Sequence, residues 1–219
     1  MYSSTIISST FLFFIVAVFI SLQSSSSVSV TAFSTMNNPE IIRKVLINTK
    51  TIALIGASIK ENRPANYVMK YLLDNGYNVI PVNPGLKEGT LIHGQKVYDT
   101  LSSIPSHKNI DMVDIFRNSA AVPSIVDEIL KMNNNMNNDN DNDNDNDNDN
   151  DVKIDDDDDE DNKKHKHHNI KSIWMQVGVI NEDTALKAKN SGLDVIMNAC
   201  PKIEIPKLNI ISTNIRSEL

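Results

Sequence analysis

The segment Thr51–Ser58 constrains the fold of this chain more than any other, because an apolar run ends there in Gly56 and two small residues. Short runs of Ile, Leu and Ala are typical of strands buried on both faces of a sheet. Pro64 follows at a position that suits the first turn of a helix. In doubly wound α/β proteins, a strand, a glycine turn and a helix in this order bind phosphate. The segment therefore predicts a strand that leads into a phosphate-binding turn.

The rest of the chain alternates predicted strands with predicted helices. Strands are expected at 51–55, 78–82, 111–116, 172–177 and 194–197, with a short element near 97–98. Helices are expected at 39–48, 64–75, 122–131 and 182–190. Strands separated by single helices imply right-handed crossovers and a parallel sheet. We therefore expect an α/β fold of the Rossmann-like, doubly wound type, with a mainly parallel sheet of five to six strands and helices on both faces.

Residues 1–32 are predicted to lie outside this fold. Their apolar stretch, Phe11–Ile20, has the length of a signal-peptide core and is too short to span a bilayer. Val30 and Ala32 are small enough to suit cleavage before Phe33. We therefore expect a secretory signal peptide at 1–32, followed by a short transit-like or linker segment at 33–38, and a mature protein that does not span a membrane.

A phenylalanine directly after such a signal resembles the two-part presequences of plastids acquired by secondary endosymbiosis. This resemblance implies passage through the secretory pathway and onward transport to a secondary plastid. The alternative is translation from Met36, which would give a cytosolic protein.

Residues 133–168 form an insert dominated by Asp and Asn. The insert holds 14 Asp and Glu against four Lys, a net charge of −10, whereas the whole chain carries −7, so the remainder carries +3. A segment with so few apolar side chains cannot offset its ordering entropy, and we expect it to be disordered. No metal site is predicted there, because no ligand spacing recurs and the glycine of a calcium loop is missing. The predicted domain is 39–208 without this insert, and 209–219 is a tail.

The mildly basic remainder suits a small ligand that carries phosphate. Its charge is too low to indicate a nucleic-acid partner, and no basic run with interleaved aromatic residues occurs. The chain has a single cysteine, Cys200, which excludes an intrachain disulfide.

The candidate site consists mainly of residues that directly follow the predicted strands, because ligands of a doubly wound sheet bind outside the carboxyl ends of its strands. Backbone N–H groups of 56–58 and the Ser58 hydroxyl are candidate donors to a pyrophosphate. Arg63 and Arg117 are candidate phosphate partners, since a guanidinium group forms paired hydrogen bonds with phosphate oxygens. The full set of predicted ligand-binding residues is Gly56, Ala57, Ser58, Arg63, Asn83, Pro84, Phe116, Arg117, Gln176 and Gly178.

An NAD site would favour a Gly-X-Gly-X-X-Gly turn and an acidic residue at the end of the second strand. In this chain Ser58 stands where the second glycine would be, and the second strand ends in Asn83 and Pro84. An NAD(P)-dependent oxidoreductase is therefore kept as an alternative, with Lys87 as the nearest basic residue for a 2′-phosphate.

Several ordered motifs together resemble the small stand-alone coenzyme A-binding domain proteins. Those proteins are similar in fold to the N-terminal domain of the succinyl-CoA synthetase alpha subunit. The resemblance covers residues 39–208 apart from the insert. Its motifs are Ile52–Ser58, Arg63-Pro64, Gly76–Pro84, Gly94–Tyr98, Asp114–Arg117, Trp174–Gly178 and Cys200–Glu204.

The resemblance implies binding of coenzyme A or acyl-CoA through the ADP part of the ligand. It implies that the turn at 56–58 holds the pyrophosphate, and that Gln176 and Gly178 line the pantetheine side. The nucleotide would be bordered by Asn83, Pro84, Phe116 and Arg117. The chain departs from the family pattern at Asn198 and Ala199, where an Asp-Arg pair is expected.

No catalytic residue is predicted. The related synthetases use a phosphorylated histidine in a further domain, for which this chain is too short. No residue near His93 in the sequence is a clear base or orienting partner for it. Cys200 has no adjacent cation that would lower its pKa. We expect a non-catalytic carrier or regulatory module. The alternatives are the oxidoreductase and a protein-interaction module that has lost its ligand.

Overall fold

The computed structural model describes residues 36–87, 89–138 and 169–210. The predicted signal peptide at 1–32, most of the predicted insert and residues 211–219 of the predicted tail lie outside these described residues. Within the described ranges, no helix is long and apolar enough to cross a membrane.

The described chain contains seven strands and five α-helices, with no helix between β2 and β5. The strands are β1 (Thr51–Ile55), β2 (Asn78–Val82), β3 (Leu91–Ile92), β4 (Gln95–Lys96), β5 (Met112–Ile115), β6 (Ser172–Met175) and β7 (Asp194–Ile196). The helices are α1 (Pro39–Asn48), α2 (Pro64–Asp74), α3 (Val122–Asn138), α4 (Glu182–Asn190) and α5 (Pro201–Lys207). A short 3-10 helix, Ser119–Ala121, precedes α3.

Five strands form one sheet in the order β2-β1-β5-β6-β7, and each neighbouring pair is parallel. The strands β3 and β4 form a separate antiparallel hairpin. From β1 the chain passes to β2 on one side, then crosses back to continue through β5, β6 and β7 on the other. This order confirms the predicted doubly wound α/β fold. Its topological switch point lies between β1 and β5, which is where such folds bind ligands.

Apolar side chains cover both faces of the sheet, as expected for strands whose sequences are mostly apolar. On one face, Ile52 and Leu54 of β1 belong to a buried cluster with α1, α2 and α5. On the other face, Ala53 and Ile55 belong to a cluster with α3 and α4. Asp114 of β5 pairs in register with Leu54. Its carboxyl group therefore faces the layer of α1, α2 and α5.

Residues 36–38, the described part of the predicted segment at 33–38, are packed and hydrogen-bonded within the folded domain. Met36 is buried. The Asn37 side-chain amide donates to the Met197 carbonyl at 2.7 Å and accepts from the Met197 N–H at 3.1 Å. The Asn38 side chain accepts from the Glu40 N–H at 2.9 Å and so caps α1. Asparagine is common in linkers, but both of these side chains form hydrogen bonds with backbone groups of the domain.

Helix α3 continues to Asn138, which corrects the predicted helix end at 131 and the predicted start of the insert at Asn133. The Asn133 side chain donates to the Ile170 carbonyl at 2.8 Å and accepts from the Ile170 N–H at 3.1 Å. The chain before the insert is thereby bonded to the chain after it. At the other end of the domain, Ile210 is buried and its N–H donates to the Ile205 carbonyl, so the domain extends past the predicted end at Leu208.

Helix α5 has no counterpart among the predicted elements. It spans seven residues, begins at Pro201 and contains Pro206. A pattern this short, with two prolines, has little helical periodicity, although Pro201 suits the first helical position. Helix α5 lies beside α2, and the Lys202 ammonium is 4.8 Å from the ring centre of Tyr67. The helix thereby forms one wall at the carboxyl edge of the sheet.

Tyr77 connects α1 to the start of β2 and provides a test of this packing. Its ring is buried, and its hydroxyl donates at 3.0 Å to the carbonyl of Leu46, which is among the last four carbonyls of α1. We expect Tyr77→Phe to lower the free energy of unfolding by about 1–2 kcal/mol, because a buried acceptor loses its donor. Urea unfolding followed by circular dichroism measures the change. The matched control, Tyr67→Phe at an exposed ring, should change it by less than about 0.5 kcal/mol, and equal losses would contradict this assignment.

Candidate nucleotide-binding site

A crevice lies at the carboxyl edge of the sheet, over the switch point between β1 and β5. It consists of two adjoining cavities, of about 380 and 550 Å³, that share Pro64 and Phe116. The first, the turn cavity, is lined by residues 56–58 and by Lys60, Arg63 and Asn83, among others. The second, the interhelix cavity, lies between α2 and α5, and its lining includes Tyr67, Arg117, Gln176, Gly178, Cys200 and Ile203. Of the ten predicted ligand-binding residues, all but Pro84 line one of the two cavities.

Gly56 brings the ends of β1 and β5 into close contact. Its φ is +87°, and a β-carbon at this position would lie 2.8 Å from the Phe116 carbonyl oxygen and 3.0 Å from Arg117 Cδ. Both the backbone conformation and the available space therefore require glycine. The contact sets the position of Phe116 and Arg117 relative to the turn.

The turn offers fewer free backbone donors than the sequence predicts. The N–H groups of Gly56 and Ala57 both donate to the Val82 carbonyl, at 2.9 and 3.2 Å. These bonds to the end of β2 correct the prediction that both groups face a pyrophosphate. The Ser58 N–H has no hydrogen-bond partner among the described residues, and the Ser58 hydroxyl oxygen accepts from the Lys60 N–H at 3.2 Å. Ser58 is therefore the residue of the turn that retains donors for a ligand.

Three cationic side chains border the crevice. Lys60 and Arg63 line the turn cavity, and Arg117 lines the interhelix cavity next to it. All three residues are exposed. Within the described ranges, none of the three side chains forms a hydrogen bond or an ion pair. Unpaired cations around one crevice suit an anionic ligand, and guanidinium groups in particular suit phosphate.

The turn is supported from below by a hydrogen-bonded chain that the sequence did not indicate. The buried Asn66 side chain donates to the Ser58 carbonyl at 2.7 Å, and His93 Nε2 lies 3.0 Å from Asn66 Oδ1. His93 therefore has a partner, contrary to the expectation from its loop. Through Asn66, the imidazole connects the turn between β3 and β4 to the turn at 56–58. In the sequence, the one indication of this contact is the turn dipeptide His93-Gly94.

Asn83 also supports the turn. Its Nδ2 donates to the Ala57 carbonyl at 2.7 Å, and its Oδ1 accepts from the Gly85 N–H at 2.8 Å. The polar atoms of Asn83 are thus bonded within the protein, although the residue lines the turn cavity. Pro84 is exposed beside it and lines neither cavity.

A buried acid and a buried amide meet at the floor of the interhelix cavity. Gln176 Nε2 donates to both carboxyl oxygens of Asp114, at 2.8 and 3.0 Å. Burial raises the pKa of Asp114 to about 7, while hydrogen bonds from Gln176 and from the Ile115 backbone act in the opposite direction. Asp114 was not among the predicted site residues. The sequence could have indicated it only as a single acidic residue between the apolar residues of a buried strand.

Cys200 lines the same cavity but is a weak nucleophile in this setting. Burial raises the pKa of the Cys200 thiol, and the charge of Asp114 adds to this effect. Backbone N–H groups of Lys202 and Ile203 act in the opposite direction. The thiolate, which is the reactive form, is therefore disfavoured at neutral pH.

The two departures from the family pattern have local roles. Asn198 has a φ of +56° and accepts a hydrogen bond from the Gly178 N–H at 2.9 Å. The Ala199 carbonyl accepts from Trp174 Nε1 at 2.9 Å. Asn198 thus holds the Gly178 turn, whose own φ is +81°, against the end of β7.

A glycine turn with unpaired cations, at the switch point of a doubly wound parallel sheet, is typical of nucleotide-binding α/β domains. Residues 50–136 and 162–206 match the protein family described as CoA binding domain. The chain belongs to this family, which confirms the resemblance predicted from its motifs.

Three relatives show how far the likeness extends. The chain is 28% identical over 170 residues to the uncharacterized protein YneT of Bacillus subtilis, an alignment that covers 77% of this chain and 96% of YneT. The solved structure of a hypothetical protein from Pyrococcus horikoshii is 31% identical, with a TM-score of 0.57, and the match covers 78% of this chain and 92% of that one. The alpha subunit of an ADP-forming acetate–CoA ligase of Pyrococcus furiosus is 36% identical over 90 residues, which are 39% of this chain and 19% of that subunit.

The variant Gly56→Ala tests the close approach of β1 and β5. Gly192 is the matched control, since its φ is +88° but a β-carbon there would meet nothing within 4 Å. We expect Gly192→Ala to lower the free energy of unfolding by about 1 kcal/mol through backbone strain alone. Gly56→Ala should lower it by about 2 kcal/mol more, because the β-carbon also meets the Phe116 carbonyl. Urea unfolding of both variants measures the difference, and similar losses would refute the steric role.

The variant Asp114→Asn tests the buried acid through the pH dependence of stability. The pKa of Asp114 is about 7 in the folded protein against an ordinary value of 3.8. Between these pH values the folded state keeps a proton that the unfolded state has lost. The contribution of Asp114 to stability is thus fully present below pH 3.8 and declines as pH rises towards 7, by at most about 1.4 kcal/mol per pH unit.

Denaturant unfolding at several pH values between 5 and 8 measures this decline. We expect it in the unmodified protein and expect Asp114→Asn to remove it. The control Asp127→Asn removes an exposed carboxylate that pairs with Lys187 at 2.6 Å, and it should leave the decline in place. A decline that persists in Asp114→Asn would show that another group causes it.

Proposed function

We propose that the protein binds coenzyme A or acyl-CoA. In this proposal the ADP part occupies the turn cavity, and its pyrophosphate lies near Ser58, Arg63 and Arg117. The pantetheine arm runs into the interhelix cavity along Gln176 and Gly178. Membership of the CoA binding domain family supports this class of ligand. The Pyrococcus furiosus relative is, by its name, a subunit of a ligase that acts on CoA.

The observation that carries the proposal is the junction of the two cavities at Pro64 and Phe116. Coenzyme A joins an anionic nucleotide to a long uncharged arm. The crevice changes in the same way along its length, from a turn cavity with two cations to an interhelix cavity whose lining is mostly uncharged. A nicotinamide dinucleotide would place a second ribose and a nicotinamide ring in that part, where the lining is largely apolar. It would also require a ribose partner at the end of β2, where both polar atoms of the Asn83 side chain are already bonded.

We further propose that this binding serves a carrier or regulatory role without catalysis. The groups near the crevice that most often act in catalysis are each held in a structural or inactive state. His93 Nε2 is bonded to Asn66, Asp114 is buried beneath Gln176, and the pKa of Cys200 is raised. These arrangements favour retention of a ligand over its chemical conversion.

Calorimetric titration of the purified protein with coenzyme A, NADH and NADPH tests the ligand class. We expect coenzyme A to bind, and Arg117→Ala to weaken binding by about tenfold or more, because a charge-assisted hydrogen bond contributes about 1.5–3 kcal/mol. Arg43→Ala is the matched control. Its guanidinium bonds to the Leu208 carbonyl and lines neither cavity, so the control should bind coenzyme A as the unmodified protein does.

Two outcomes would contradict the proposal. Binding of NADH or NADPH without binding of coenzyme A would favour the oxidoreductase. Binding of none of the three would favour the protein-interaction module. An equal loss of affinity in Arg117→Ala and Arg43→Ala would remove Arg117 from the site.

A further inference from the structure

The interhelix cavity is rimmed by apolar side chains that face solvent. Seven large hydrophobic side chains are exposed among the described residues, and three of them line this cavity: Tyr67 (42% exposed), Val177 (62%) and Ile203 (57%). Single exposed hydrophobic residues are common on protein surfaces. Three that converge on one cavity of about 550 Å³ indicate that an apolar group binds there.

The rim is built from three separate parts of the chain. Tyr67 is on α2, Ile203 is on α5, and Val177 is in the loop after β6. The Lys202 ammonium lies 4.8 Å from the ring centre of Tyr67 and 5.9 Å from that of Tyr71, and these cation–π contacts join α5 to α2. The apolar rim is therefore held between two helices that are tied to each other.

The charges around the cavity do not favour a second anion within it. Arg117 is the one charged residue among the described residues that line the cavity. Its Cδ lies 3.0 Å from the position of a β-carbon on Gly56, so its stem packs along the turn, beside the turn cavity. Asp114 lies beneath the floor and carries the opposite charge when ionised. A carboxylate at the far end of a ligand would thus have no cation on the lining of this cavity apart from Arg117, and the nearby Lys202 ammonium lies over the ring of Tyr67.

Gln176 provides a polar anchor at the floor of the cavity. The residue is 5% exposed, and its Nε2 is bonded to Asp114. Within the described ranges, Gln176 Oε1 accepts no hydrogen bond, so it is available to an amide N–H of a ligand. An arm held at this atom would place whatever follows it between Val177 and Ile203.

We propose that the interhelix cavity receives the apolar acyl chain of a medium- or long-chain acyl-CoA. It would do so in preference to free coenzyme A, to short acyl groups and to acyl groups that end in a carboxylate. This inference rests on the proposed function, because the acyl chain reaches the cavity only when the ADP part occupies the turn cavity. It adds the class of acyl group that the site accepts.

Calorimetric titration of the full chain with coenzyme A, acetyl-CoA, octanoyl-CoA and succinyl-CoA tests the inference. Burial of one methylene group increases the affinity of a ligand about fourfold. Partial burial of the octanoyl chain should therefore make octanoyl-CoA bind at least about tenfold more tightly than acetyl-CoA. We expect succinyl-CoA to bind no more tightly than acetyl-CoA.

A double substitution tests whether the rim side chains cause the preference for the longer acyl chain. Val177→Thr combined with Ile203→Thr makes two exposed positions polar, and it should reduce the octanoyl-to-acetyl affinity ratio to about twofold or less. Leu186→Thr is the matched control, since Leu186 is exposed on α4, on the opposite face of the sheet, and it should leave the ratio unchanged. Circular dichroism confirms that each variant is folded.

The outcomes separate this inference from the proposed function. Equal affinity of the unmodified protein for octanoyl-CoA and acetyl-CoA, or a preference for succinyl-CoA, would overturn the inference while leaving coenzyme A binding intact. A ratio that the paired substitution does not change would show that the chain binds elsewhere, which also overturns it. Failure of all four ligands to bind would overturn the proposed function and the inference with it.

Discussion

The contact between Gly56 and the Phe116 carbonyl is the constraint on which the crevice depends. It joins the ends of β1 and β5 at the one place where the order of the sheet reverses. On the other side of β1, the N–H groups of Gly56 and Ala57 bond to the Val82 carbonyl at the end of β2. The turn is thus fixed to both neighbouring strands. Because its backbone donors serve the sheet, the capacity to bind an anion falls largely to side chains around it, namely Ser58, Lys60, Arg63 and Arg117.

The sheet could be predicted because its strands are buried on both faces and end at residues that break regular structure. The bounds of β1 and β2 agree with the sequence, since Gly56 ends one apolar run and Asn83 with Pro84 ends the other. The errors fall where polar residues have structural roles. Asn37, Asn38 and Asn133 bond to backbone groups of the domain, and nothing in local composition separates such residues from a linker. Helix α5 is short and depends on packing beside α2 more than on periodicity.

The site could be predicted in outline for a topological reason. Residues that follow parallel strands meet at one edge of a sheet, whatever their separation along the chain. Which of them bond to each other depends on side-chain geometry, which a sequence does not reveal. Gln176 and Asp114 are 62 residues apart, and His93 and Asn66 are 27 apart. That the Val82 carbonyl accepts from two N–H groups likewise depends on the conformation of the turn. The sequence therefore predicts more free N–H groups in the turn than the structure has.

The buried pair of Asp114 and Gln176 connects the stability of the fold to the chemistry of the cavity. Burial of a carboxyl group in the layer of α1, α2 and α5 disfavours its ionised form, as its raised pKa indicates. A side-chain amide can present either its NH₂ group or its oxygen in a given direction. In the structure Nε2 of Gln176 points inward and donates to both carboxyl oxygens of Asp114. The oxygen is then left to face the cavity, and the same burial that makes stability decline as pH rises from 3.8 towards 7 also sets the polarity of the floor.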